Sequence, residues 1–410
     1  MSTRPEPAPD WWGDELLGGH PDRRPWAVRG GHVLTYGTLR EQVAATRRLL
    51  RSHGIRPGDT VVLQGAHGFT QLWSLLALWS LGAQVLLLGP QVRGRELGLL
   101  LDRCRPRFHV AFDGGPADGF HGEGATEVRR LKGGLPAATA HCLVQFTSGS
   151  TGCAKPVGRT AESLLAELAG FARVAGMPAA GERVLVLGPP AHSFPLIGGL
   201  LHAMHVGAVT VFSPGAGRPA LLRAAALGRT EAVIGAPRHF AVLAADGRGL
   251  RLPRLRVAVS GGDRVDDAVH IRFGERYGVR LGQAYGTTET GIVATDPTGW
   301  YGPGTVGLPV DGVEVRVVDT ELQVRLDRSP YLLPEEAPAR FLADPHGSGA
   351  GWFATRDRVT RDALTGALRI AGRFDPLVDR GALSADHHGQ LSSRTRSRLL
   401  RRDGEPAGSG

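Results

Sequence analysis

The sequence predicts an α/β protein: two αβ-layered subdomains with mostly parallel sheets, followed by a smaller β-rich subdomain. Three observations carry this prediction. Short runs of β-branched residues and leucine alternate with longer segments of helical periodicity over the first half of the chain, and the same rhythm returns after about residue 180. From Gly304 the text changes to valine-rich alternation broken by turn residues, which is the pattern of a half-buried antiparallel unit. At 410 residues and 42% hydrophobic content, the chain is long enough for more than one core.

The elements follow in order. LTYGTLREQVAATRRLLRSHG has apolar residues at helical spacing after Tyr36, stops at Gly54 and turns at Pro57-Gly58-Asp59. VVLQG is a strand. Gln71 to Gly89 approaches membrane-spanning length, but two glutamines, two serines and a central Gly82 divide it into a buried helix, a turn and a buried strand. RELGLLLDRCRP reads as a helix and FHVAF as a strand. CLVQF is a short apolar run. Farther on, ERVLVLGPP, VTVF, AVIGAP and LRVAVSGGD read as strands. LIGGLLHAMHVGA, PALLRAAALGR and HFAVLAAD read as helices. VGLPVDGVEVRVVD and ELQVRL supply the β-rich unit.

The ends differ from the middle. Residues 1–25 read as a loose leader, polar and Pro-rich at the outset, not a secretion signal. Residues 381–410 lose all periodicity and read as disordered. Three cysteines at irregular spacing exclude a disulfide framework. The net charge of +9 comes almost wholly from arginine, because Lys132 and Lys155 are the only lysines. No zinc-finger spacing, basic heptad region or RNA-binding aromatic signature accompanies it, so a nucleic-acid partner is not expected. The expectation is a cytoplasmic protein without a membrane span.

Two segments carry chemistry. TSGSTGCAKP (147–156) combines Gly149 and Gly152 with the hydroxyls of Thr147, Ser148, Ser150 and Thr151 and the point charge of Lys155. The glycines let several N–H groups turn inward, and the whole suits a polyphosphate. It is not a Walker A loop, since Ala154 and Pro156 stand where that loop needs glycine and a hydroxyl residue. The second segment is GQAYGTTET (282–290).

In this order the pair resembles the adenylate-forming superfamily, which includes acyl-CoA synthetases, peptide-synthetase adenylation domains and luciferases. Its TSGTTGxPK and YGxTE stand here as TSGSTGCAK and YGTTE. SGGD (260–263), GTVGLPVDGVEVRVVD, GWFATRDRV and GRFDPLV also fall in register, with Arg356 replacing a glycine of the family pattern. The resemblance covers about residues 30–380. It implies the N-terminal, AMP-binding domain of such an enzyme over 26–375, with αβ subdomains about 26–140 and 141–303 and a β-rich subdomain about 304–375.

The resemblance also implies roles. Thr147, Ser148, Gly149, Ser150, Thr151, Gly152 and Lys155 hold the β- and γ-phosphates of ATP. Gly261, Gly262 and Asp263, with the backbone of Gln283, Ala284, Tyr285 and Gly286, line the adenine; Thr287 belongs to the same nucleotide-contacting stretch. Thr288 contacts the α-phosphate and, with Lys155 and Glu289, acts catalytically. Glu289 holds Mg2+, as a hard cation wants oxygen ligands. Asp357 accepts the ribose hydroxyls with Arg373 nearby. His192 stands near the acyl pocket. No aspartate occurs between Glu182 and Arg218 to pair a substrate ammonium, so the expected substrate is an acyl or aryl acid without an α-amino group. The acceptor is expected to be coenzyme A or a carrier-protein thiol.

The family's second, mobile domain follows the GRxDxxI hinge and carries a lysine that binds the reacting carboxylate. Here no lysine follows Lys155, and 376–410 reads as a basic tail in that domain's place. Three readings stay open on this ground: an impaired enzyme or one completed in trans by a partner, a non-catalytic nucleotide-binding subunit, and a decayed ligase gene.

Overall fold

A computed structural model describes residues 11–112, 119–147, 154–245, 251–333, 340–345 and 349–373. Two sheets organise them. The first has six strands, in spatial order Thr126–Arg130, Phe108–Phe112, Thr60–Gly65, Gln84–Leu88, His141–Thr147 and Lys155–Thr160. Its four inner strands are parallel and its two edges are antiparallel. The two central strands, Thr60–Gly65 and Gln84–Leu88, are buried at every position because both faces of the sheet are covered.

The second sheet has fourteen strands, thirteen on one hydrogen-bonded path and Phe341–Ala343 paired off it to Gly351–Arg361. Its parallel part runs from Pro25–Arg29 through Val209–Phe212, Arg183–Val186, Ala232–Gly235 and Val257–Gly261 to Leu281–Thr287. Gly291–Asp296 then turns back antiparallel, and Thr305–Pro309, Leu368–Arg373, Gly351–Arg361, Glu321–Leu326 and Val315–Val318 continue in the same sense. The valine-rich unit expected beyond residue 304 is therefore an extension of the second sheet.

Helix placement follows the sequence pattern. Tyr36–Ser52 begins at Thr35, whose hydroxyl accepts the Thr38 N–H at 3.3 Å, and it buries Tyr36, Leu39, Val43 and Leu50 on one stripe. Phe69–Ser80 is buried on every side. It packs in one core with Leu196, Ile197 and Leu200 of the second half, so it lies between the layers, and its all-round apolarity follows from that position. The run Gln71 to Gly89 thus resolves into helix, turn and the strand Gln84–Leu88, and no helix among the described residues is long and apolar enough to cross a membrane.

Four expectations need correction. Residues 11–25 are not loose: Trp12 lies against Trp79 at 4.8 Å, Leu16 and Leu17 are buried, and Arg40 donates to the Leu17 carbonyl. Burial of the two leucines, with Trp11 and Trp12 packed half-buried against the core, offsets the entropy of ordering this segment. The boundary near residue 140 also shifts. His141–Thr147 and Lys155–Thr160 complete the first sheet, because Val85 and Leu86 pair with Leu143 and Val144. Residues 25–35, expected in the first layer, instead edge the second through Ala27, Val28 and Arg29. Finally, the helix read over LIGGLLHAMHVGA starts as a π-helix, Phe194–Leu201, before continuing as α-helix His202–Val206. Such wide turns are rare and concentrate at functional sites.

Candidate functional site

The segment expected to grip phosphate begins and ends on two paired strands. His141–Thr147 and Lys155–Thr160 pair antiparallel, with Thr147 opposite Lys155. Ser148, Gly149, Ser150, Thr151 and Gly152 lie outside the described residues. Lys155 is half-buried, its ammonium 6.0 Å from the ring centre of Tyr331. Tyr331 is held against this hairpin by a bridge to Val157. Gln145, one turn of the strand before Thr147, is buried; it donates to the Ala191 carbonyl at 2.8 Å and accepts from the Ser193 hydroxyl at 2.6 Å. These bonds fix the 191–193 segment, with His192 exposed between them, over the end of the strand.

The second sheet brings the two segments expected to line the adenine side by side. Ser260 pairs with Gln283 and Gly261 with Ala284 in parallel register, so SGG and QAYG end at the same edge of the sheet. Ala284 is buried, and Gln283 is buried with its amide donating to the Thr305 carbonyl at 2.7 Å. Gly262 and Asp263 are exposed; Asp263 caps the following backbone N–H of Arg264 at 2.7 Å. A Cβ on Gly261 would stand 2.7 Å from the Phe194 ring, so the first residue of the π-helix lies directly on this glycine.

Leu281–Thr287 and Gly291–Asp296 form the hairpin whose tip is Thr288-Glu289-Thr290. The Thr287 and Thr290 hydroxyls close the tip, each accepting the other's backbone N–H at 3.3 and 3.1 Å. The Thr287 hydroxyl is therefore committed to the turn, and Thr288 is left half-exposed at its tip. Gly286 packs against the Gly291 carbonyl, where no side chain would fit. Glu289 points inward, buried, and pairs with the Arg340 guanidinium at 3.5 Å. Arg340 also donates to the carbonyls of Ala354 and Thr355 and lies 4.7 Å over the Phe353 ring.

Asp357 is the best-held carboxylate of the site. Its Oδ2 accepts the Tyr285 hydroxyl at 2.6 Å, its Oδ1 accepts Arg373 Nη1 at 2.8 Å, and its own N–H donates to Thr355 Oγ1. Asp357 and Arg373 are cross-strand partners, which accounts for their meeting. Burial, followed by the neighbouring Asp357 charge, pushes the Tyr285 phenol far above its ordinary range, so it remains a donor. Arg356 occupies the left-handed region at φ 61°. The departure from glycine noted in the sequence thus keeps the backbone form that glycine favours, and the Arg356 N–H finds Glu321 Oε1 at 2.8 Å.

The structure brings Gly261, Ala284, Tyr285, Asp357 and Arg373 into one connected region. A chain of ring and ion contacts runs from Lys155 through Tyr331, Phe353 and Arg340 to Glu289. Sequence reading missed Gln145, Tyr331 and Arg340; none stands in a recognisable pattern, and only the fold makes them neighbours. Among the described residues no group of three or more His, Cys, Asp or Glu could hold a metal ion. Glu289, buried and paired with Arg340, presents a single carboxylate there, and Mg2+ needs few protein ligands because it keeps several waters.

The family described as "AMP-binding enzyme" matches residues 15–328. The chain is 29% identical to 2-succinylbenzoate–CoA ligase of Salmonella typhimurium, over 85% of this chain and 73% of that protein. It is 30% identical to the nonribosomal peptide synthetase CymA of Salinispora arenicola, over 85% of this chain, and spans only 5% of that protein's length. Its fold matches the anthranilate CoA ligase AuaEII, solved with anthranoyl-AMP, at a TM-score of 0.74 and 22% identity, over 91% of this chain and 80% of that one.

Proposed function

The chain belongs to the AMP-binding enzyme family, and on that premise we propose that it uses ATP to activate a carboxylic acid, acyl or aryl and without an α-amino group, as its acyl-adenylate. The thiol of coenzyme A or a carrier protein then attacks the acyl carbon, the bond to the phosphate oxygen breaks, and AMP leaves with that electron pair as the thioester forms. The observation that carries this reading is the Tyr285–Asp357–Arg373 cluster beside the paired ends of SGG and QAYG. A carboxylate with each oxygen already aligned by a donor is a preorganised acceptor for a diol such as ribose. The named activities of the relatives, 2-succinylbenzoate–CoA ligase and an anthranilate–CoA ligase, support an acid of this class.

In the reaction a substrate carboxylate oxygen attacks the α-phosphorus, the bond to the bridging oxygen breaks, and pyrophosphate leaves with the electron pair. Two anions must approach, so positioning and charge neutralisation supply most of the acceleration. Lys155 and the loop hydroxyls steady the leaving pyrophosphate. Thr288, half-exposed at the hairpin tip, offers its hydroxyl to the α-phosphate. Mg2+, when bound, supplies further neutralisation of phosphate charge, with Glu289 as its protein ligand. Asp357 orients the ribose, and Gly261 with Ala284 leaves a flat backbone edge for the base.

Carboxylate-dependent exchange of labelled pyrophosphate into ATP, run over a panel of aryl and acyl acids, tests this reading. Exchange stimulated by at least one acid is the expected result. MgATP binding without exchange for any acid would leave a nucleotide-binding protein and remove the enzyme; absence of both would remove the reading altogether.

A further inference from the structure

One buried ion pair lies outside every role assigned so far. Arg159 belongs to the strand Lys155–Thr160, four residues after Lys155, and Glu167 to the helix Ala161–Ala172 that follows. Arg159 Nη1 and Glu167 Oε2 are 2.7 Å apart, with side chains only 7% and 6% exposed. The guanidinium is further anchored at Ser163, through Nε to the hydroxyl at 3.2 Å and Nη2 to the carbonyl at 3.1 Å.

The pair reaches across to the other sheet. The ladder between Leu281–Thr287 and Gly291–Asp296 shifts register between Tyr285 and Gly286. Ile292 donates its N–H to Glu167 Oε1 at 2.7 Å. Gly291 sits at φ 72°, and a Cβ there would overlap Glu167 Oε2 and stand 2.5 Å from Arg159 Nη1. A charged pair is thus pressed against backbone immediately after the Thr288-Glu289-Thr290 tip. Burying two charges is expensive, and hydrophobic residues would commonly serve stability as well. Its geometry instead joins the two segments that must grip one polyphosphate.

We propose that Arg159 and Glu167 are positioning residues, which set the Lys155 strand against the Thr288–Glu289 turn without touching the nucleotide. The inference rests on the nucleotide-binding reading above. Lys155 lies about 13 Å along the strand from Arg159, and Glu289 within about 10 Å of Ile292. Rigid segments of that length transmit a displacement at the pair to the phosphate contacts, where about 1 Å of misplacement costs up to about a hundredfold.

The test uses the full chain and MgATP as the probe, with affinity measured by calorimetry at low temperature and folding by circular dichroism. Glu167→Gln keeps an acceptor for Ile292 but leaves the Arg159 charge buried without its counter-ion. Arg159→Met/Glu167→Gln removes both charges and serves if the single variant does not fold. Either, when folded, is expected to weaken MgATP binding about tenfold or more, while Arg159→Lys stays within about threefold of wild type. A second readout separates positioning from mere stability: the non-additivity of Lys155→Ala and Thr288→Ala, present in the wild-type background, should shrink toward additivity in the Glu167 background. A folded variant that binds MgATP within twofold of wild type, with that coupling unchanged, overturns the inference while leaving the nucleotide site intact. Failure of the wild-type chain to bind MgATP overturns both.

Discussion

The Tyr285 hydroxyl donates to Asp357 Oδ2 at 2.6 Å, joining positions 72 residues apart and closing the second sheet around its carboxylate. The other oxygen of Asp357 is taken by Arg373, so the carboxylate is held from both sides.

Removing one of these donors tests the assignment. Tyr285→Phe should cost about 1 kcal/mol of stability, the usual worth of one hydrogen bond, and weaken MgATP binding about three- to tenfold. Asp357→Ala should weaken it by tenfold or more, since Tyr285 and Arg373 then lose their shared acceptor. Binding isotherms of the two variants check the order; an Asp357→Ala protein with wild-type affinity would show that this carboxylate holds no ribose.

Glu289 and Lys155 make a second test. Lys155→Ala and Glu289→Gln should each reduce carboxylate-dependent pyrophosphate exchange about ten- to a hundredfold, through loss of charge stabilisation. The dependence on Mg2+ concentration should move to higher concentration only for Glu289→Gln. An equal shift in both variants would argue against Glu289 as the metal ligand.

Arg356 predicts a gain. A non-glycine residue at φ 61° carries a steric cost of about 1–2 kcal/mol, partly offset because glycine is more flexible when unfolded. Arg356→Gly should therefore raise stability by about 0.5–1 kcal/mol in urea titration. A lower midpoint would mean that the arginine side chain contributes more than its backbone costs.

Acid should unfold the protein early. Burial holds His67, His141, His202 and His239 each at a pKa of about 4, against an unfolded value near 6.5. At His239 burial, followed by the Arg238 charge, acts on a ring whose Nδ1 accepts the Ala236 N–H at 3.0 Å. With the folded pKa depressed, the unfolded chain binds more protons between about pH 6.5 and 4. The stabilisation is complete above about pH 6.5 and fades as pH falls, by about 2 kcal/mol per histidine at pH 5. His239→Gln should flatten this slope by about one proton, as read from denaturation midpoints at pH 7.5 and 5; an unchanged slope would remove His239 from the account.

Local signals were readable in the chain because they depend on near neighbours. The helix Tyr36–Ser52, the helix–turn–strand division of Gln71 to Gly89, and the strand that ends in SGG all follow from periodicity, glycines and turn residues. The π-helical start at Phe194 was not readable, because its apolar residues suit either helix type and packing on Gly261 and Gly198 selects between them.

The one-dimensional text sufficed for the α/β class and for the motifs by which the chain resembles its family, since those rest on residue type and short spacing. Partnership across distance was settled by folding. Tyr285 meets Asp357, Glu289 meets Arg340, and Glu167 meets the backbone of Ile292 because sheet pairing brings strands together regardless of their separation along the chain. The same holds for the ordered segment 11–25 and for the strands that change layer. Each is fixed by burial and ladder pairing with residues far away in sequence, and no local pattern encodes the identity of such a partner.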